Sequence, residues 1–128
     1  MEIVIVGGDA LALRVCEDLC AHGYGVVVLW DDDVEVARRA RELGVRFVGK
    51  RPEEAASLQA AGVEHAQTVM ALSTSDHRNV QVILRSRDLN PSIRVVMRQF
   101  NRDIGRKIEQ NLQNCSVLSR STHAAANE

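Results

Sequence analysis

The residues best placed to do chemistry stand at the start of the chain, where Gly7, Gly8, Asp9, Ala10 and Leu11 separate a short apolar run from a helical pattern. A turn of this kind leaves the first backbone N–H groups of a helix without internal partners, and these can be offered to a phosphate. Relative to GxGxxG, Gly7 holds the first place, Asp9 the second and Ala12 the third. Ala12 still lets the helix pack closely on the strand. Asp9 acts in two opposed ways. Its carboxylate suits the helix dipole and can cap the helix, yet it repels a pyrophosphate and its side chain hinders close backbone approach. Two readings stay open: a working phosphate site, and a structural turn that keeps only the shape.

The elements that position this turn follow from hydrophobic patterning. Residues 2–6 are apolar at four consecutive positions, Ile3, Val4, Ile5 and Val6, which suits a parallel strand covered on both faces. Leu11, Val15 and Leu19, with Ala12, Cys16 and Cys20 alongside, then give a helix with one buried face. A second strand is expected at 26–30, followed by Asp31, Asp32 and Asp33; Asp32 with Glu35 has the form of a capping box for a helix burying Val36, Ala37, Ala40 and Leu43. A third strand at 45–48 leads through the loop Gly49, Lys50, Arg51, Pro52 into a short helix over 53–61. The fourth strand, 68–72, ends in Ser73, Thr74 and Ser75. A longer helix over 76–89 shows two apolar lines, one of Val80, Ile83 and Leu84, facing the sheet, and one of Val82 and Leu89, open to a partner subunit or merely exposed. A fifth strand at 93–97, a helix over 103–112 burying Ile104, Ile108 and Leu112, and a sixth strand at 115–118 complete the pattern. Residues 119–128 are expected to form a flexible tail.

Strands alternating with helices over 128 residues predict a single α/β domain, a Rossmann-like, doubly wound parallel sheet over residues 1–118. Ligands of such sheets bind at the carboxyl ends of the strands, near the point where strand order switches. The loops at 7–11, 30–33, 49–52 and 72–75 meet there.

Composition limits the function. With 16 basic and 17 acidic residues and a net charge of -1, the chain offers no electrostatic footprint for nucleic acid or an anionic membrane, and 3% aromatic content argues against a base-stacking surface. No run approaches the ~20 apolar residues of a membrane span and no signal peptide opens the chain, so a cytoplasmic protein with no direct membrane insertion is expected. The 3 cysteines fit a reducing compartment. Cys16 and Cys20 lie one helical turn apart, but no second pair with ligand spacing accompanies them, and small buried residues are the better reading. No metal site and no catalytic group are expected.

Taken together, the VIVGG turn, VVVLWDDD, RELGVRFVG, AGVEHAQTVMALSTSDHRN with its Asn79, and NPSIRVVMRQFN resemble the RCK (KTN or TrkA-N) family, cytoplasmic domains that regulate potassium channels and transporters. The resemblance covers residues 1–118. It implies a domain that binds NAD(H) or an adenine nucleotide such as ATP, ADP or AMP, performs no chemistry, pairs into a homodimer or higher ring, and passes ligand-driven rearrangement to a membrane subunit. It also implies a location at the inner face of the membrane, through a partner or a further segment.

Carried over by position, the resemblance is partial. Gly7 matches the family's first glycine. The strand-end acid that would bond a ribose falls at Trp30, Asp32 matches a second acid, and a one-residue slip would place Asp31 there instead. Trp30 offers a ring that can stack on adenine, or is a core or interface aromatic. Lys50, beside Arg51, replaces an acidic residue and suits an anionic ligand, or belongs to a solvated basic loop. Leu72, Ser73 and Thr74 form the loop after the fourth strand, and Arg98 keeps a basic residue at the end of the fifth. The calcium-binding carboxylates of channel-type members would fall near Leu72, Arg98 and Phe100, so calcium regulation is not supported.

Two other readings compete. In one, the domain has lost its ligand and survives as an assembly module. In the other, the chain is the cofactor half of an NAD-dependent oxidoreductase; hydride transfer needs a substrate domain and a placed acid or base. His22 and His65 fall away from the crevice, and His77 has no second catalytic group beside it.

Overall fold

The computed structural model describes residues 2–7, 9–29, 34–48, 51 and 54–118. Six strands form one sheet, β1 (Glu2–Val6), β2 (Gly25–Leu29), β3 (Arg46–Val48), β4 (Thr68–Ala71), β5 (Arg94–Arg98) and β6 (Cys115–Leu118), in the order β3-β2-β1-β4-β5-β6. All pairings are parallel. This is the doubly wound order, and it reverses between β1 and β4. The expected sixth strand is present: β6 pairs parallel to β5, and Gln99 N–H donates to Leu118 O at 2.9 Å at the sheet edge.

Helices α1 (Ala10–Ala21), α2 (Val34–Glu42), α3 (Ala55–Ala61), α4 (Asp76–Leu89) and α5 (Arg102–Asn111) connect the strands, with a single 3-10 turn at Val63–His65 after α3. Strand residues alternate between two apolar layers. Ile3, Ile5, Val26 and Val28 pack with Ala12 and Cys16 of α1 and Ala40 of α2. Val4, Val6, Val27, Leu29, Val69 and Ala71 pack on the other face with Leu58 and Ala61 of α3 and Val82 and Ile83 of α4. Because β1 is buried on both faces, it reads in sequence as an unbroken apolar run, not an alternating one.

Several expected faces need correction. Leu11 is exposed, because the buried face of α1 runs through Ala12, Leu13 and Cys16 instead. In α4, Val82 and Ile83 are both buried, with Asn79 and Ser86 on the same face, whereas Leu84 is 51% exposed. Val80 and Leu89 lean on the core. One helix face thus carries both expected lines, and Leu84 alone points away. In α5 Ile104 is 44% exposed; Gly105 is the buried residue of that turn, and Ile108 and Leu112 pack on the core. Leu43 is also exposed, past the end of α2. Residues 119–128 lie outside the described residues.

Candidate functional site

The turn after β1 is held against the end of β4. Leu72 N–H donates to Val6 O at 2.6 Å, extending the β1–β4 ladder by one bond. A Cβ at position 7 would stand 3.0 Å from the Leu72 carbonyl carbon and 3.1 Å from its oxygen. Gly7 is therefore required by backbone proximity. The Leu72 side chain is buried under α1, so this residue presents only its carbonyl to the crevice.

Asp9 is the N-cap of α1, with extended backbone. Its Oδ1 accepts from Ala12 N–H at 3.3 Å, satisfying one of the orphan donors of the first turn. Its other oxygen, Oδ2, lies 2.6 Å from Arg98 Nη1. The same Nη1 is 3.4 Å from Leu72 O, so Arg98 reaches from the end of β5 over the end of β4 to the start of α1. The guanidinium also lies 4.9 Å from the centroid of the Phe100 ring, a stacking contact that suits its planar charge. The two side chains are mostly sheltered, Arg98 at 21% and Asp9 at 31% exposure.

The loop after β4 is built around Asn79, which is fully buried. Its Oδ1 accepts from Ser73 N–H at 3.0 Å, and its Nδ2 donates to Ser73 O at 2.9 Å and to Arg98 O at 2.7 Å. One amide thereby fixes the ends of β4 and β5 relative to each other. Ser73 Oγ bonds Ser75 through N–H and carbonyl, and Ser75 caps α4 at Arg78 N–H. Asp76 accepts from Phe100 N–H at 2.8 Å and Asn101 N–H at 3.0 Å, tying the first turn of α4 to the start of α5. Thr74 is exposed at the tip of this loop.

Of the expected site residues, Gly7, Asp9, Ala10, Leu11, Leu72, Ser73, Thr74 and Arg98 come together at the carboxyl ends of β1, β4 and β5. Arg51 is exposed before α3, where its carbonyl accepts from Glu54 N–H. Gly8, Trp30, Asp31, Asp32 and Lys50 lie outside the described residues. His22 precedes β2 and His65 precedes β4, at the opposite end of the sheet. Asn79 and Asp76 were not among the expected site residues. Asn79 could have been found as the polar member of an apolar helix face, three and four residues before Val82 and Ile83.

The cysteines behave as core residues. Cys16 is buried, and that burial, with Cys20 and Glu17 adding negative potential, pushes its thiol up to about 12. Burial likewise raises Cys115. Among the described residues, no group of three or more His, Cys, Asp or Glu side chains could hold a metal ion, and no helix is long and apolar enough to cross a membrane.

A family model, the TrkA-N domain, matches residues 3–118. Among solved structures, the TrkA-N domain of inner membrane protein ybaL from Escherichia coli superimposes with a TM-score of 0.83 at 22% identity, over 98% of this chain and 92% of that one. The Kef CTD of Shewanella denitrificans in its AMP-bound form gives 0.82 at 17% identity, over 99% of this chain and 75% of that one. The GsuK channel bound to NAD gives 0.73 at 21% identity, over 90% of this chain but 21% of the channel chain. These likenesses establish a shared fold. No curated protein matches the chain.

Proposed function

The chain belongs to the TrkA-N domain family, and from that premise we propose that it is a regulatory domain of a potassium transport system, binding an adenine nucleotide or NAD(H) without catalysis. In this reading residues 1–118 form the domain, which assembles as a homodimer or higher ring and transmits ligand binding to a membrane channel or transporter subunit on the cytoplasmic side. The observation that carries it is the convergence of the Gly7 turn, the Ser73 loop and the Arg98 guanidinium at the order switch of a TrkA-N sheet, where a fold of this class takes its ligand. The first turn of α1 supplies backbone donors for a phosphate, and Arg98, paired with Asp9, bounds the crevice on its β4–β5 side. The AMP, NAD and ADP named for the Kef CTD and GsuK structures support a nucleotide as the ligand class.

The test is thermal unfolding with NAD+, NADH, ATP, ADP and AMP in turn, with oligomeric state measured in parallel. A ligand at about 100 times its dissociation constant adds about 2.7 kcal/mol, a shift of several degrees. A shift with one nucleotide supports the sensor. A stable oligomer that none of them shifts would instead favour an assembly module, a reading that the internal pairing of Asp9 with Arg98 also suits.

A further inference from the structure

We infer that the Asp9–Arg98 ion pair sets the size of the ligand, closing the β4–β5 half of the crevice so that a mononucleotide is accepted and a dinucleotide excluded. The inference rests on the nucleotide-binding reading above. A doubly wound sheet consists of two mononucleotide-binding halves, and a dinucleotide must straddle the point where strand order reverses. Here that point lies between β1 and β4. Arg98 crosses it: its guanidinium starts from β5, passes within 3.4 Å of Leu72 O at the end of β4, and meets Asp9 at 2.6 Å at the head of α1.

The crossing is held at both ends. At one end Asp9 is anchored by its own cap bond to Ala12 N–H. At the other, the guanidinium rests on the Phe100 ring, and Asn79 holds the Arg98 carbonyl while Asp76 holds the N–H groups of Phe100 and Asn101. A ligand confined to the β1–β2 half leaves the pair intact. One that continues over β4 must part Asp9 from Arg98 and leave a carboxylate facing its phosphates. Asp9 takes only Ala12 N–H, so the N–H groups of Ala10 and Leu11, which have no acceptor among the described residues, stay available for a single phosphate.

The experiment is calorimetric titration of the whole chain with AMP and, separately, NAD+, for the natural sequence, Asp9→Asn and Arg98→Met. Asparagine keeps the cap on Ala12 and removes the charge; methionine keeps the stem and removes the bar from the other end. Unfolding midpoints establish that each variant is folded. The natural chain is expected to bind AMP at least about tenfold tighter than NAD+, and both variants to raise NAD+ affinity about tenfold relative to AMP, the effect of a charge-assisted contact. Equal affinities in the natural chain would overturn the inference. So would an Asp9→Asn variant that tightens both ligands by the same factor, since Asp9 would then be only a repelling charge. In both cases the nucleotide-binding reading stands. If neither ligand binds any of the three proteins, that reading fails and the inference with it.

Discussion

Arg98 Nη1 and Asp9 Oδ2 stand 2.6 Å apart, although 89 positions separate them in the chain. This pair joins the end of β5 to the head of α1, where the Asp9 carboxylate also caps the first turn at Ala12 N–H. Asp9→Ala removes both the cap and the ion pair. The expected cost is about 1–2 kcal/mol, most of it from the cap. Asp9→Asn, which preserves the cap, should cost less. Urea denaturation of the two variants checks the order.

Asn79→Leu should be among the most damaging single changes near the site. The side chain fills the same space but leaves Ser73 N–H, Ser73 O and Arg98 O without their partner in a buried setting. Each orphaned group costs about 1–3 kcal/mol, and structural relaxation recovers part of that, so a loss of about 3 kcal/mol is expected. Asn79→Asp should also destabilise, because a carboxylate cannot donate to the two carbonyls. Denaturant midpoints measure both.

Gly7→Ala places a methyl group 3.0 Å from the Leu72 backbone, which cannot rotate aside as a side chain could. Overpacking of this kind costs about 1–3 kcal/mol. It should also push the turn off the end of β4 and weaken nucleotide binding. A titration beside an unfolding curve separates the two effects.

Gln99 points to a change in the opposite direction. It is 1% exposed, and neither its Nε2 nor its Oε1 has a hydrogen-bond partner among the described residues. Gln99→Met keeps the shape and removes a buried, unsatisfied amide, so a gain of about 1 kcal/mol and a rise of several degrees in Tm are expected.

Cys16 sets a limit at alkaline pH. Its folded pKa of about 12 lies above the ordinary 9.0, so the thiol binds its proton more tightly in the folded state. The stability this gives is complete below pH 9 and is lost as pH rises toward 12. Cys16→Ala should therefore show a flatter decline of stability over that window than the natural chain. At neutral pH Cys16 should resist alkylation until the protein unfolds.

Much of the architecture was legible because it is local. The unbroken apolar run Ile3–Val6 can be satisfied only by a strand covered on both sides, and Gly62, with φ of 88°, stops α3 where its residue type suggests. The same local reasoning anticipated the Asp9 cap. It misassigned Leu11, Leu84 and Ile104, because tertiary packing decides which side of each helix meets the sheet, and their neighbours Ala12 and Leu13, Val82 and Ile83, and Gly105 are the residues buried there. The pairing of Asp9 with Arg98, the three hydrogen bonds of Asn79 and the clasp of Asp76 on Phe100 and Asn101 were illegible for a different reason. Each depends on strands brought together by the β1–β4–β5 order, and nothing within one segment encodes its partner in another.

The most direct test of a nucleotide site at the β1–β4 switch is a set of backbone amide NMR spectra recorded during titration with AMP. Nucleotide binding at this crevice predicts saturable shifts at Gly7, Asp9 to Ala12, Ser73, Thr74 and Arg98, with the N-terminal ends of the strands unaffected. Shifts confined to other surfaces, or none at millimolar AMP and NAD+, would contradict it.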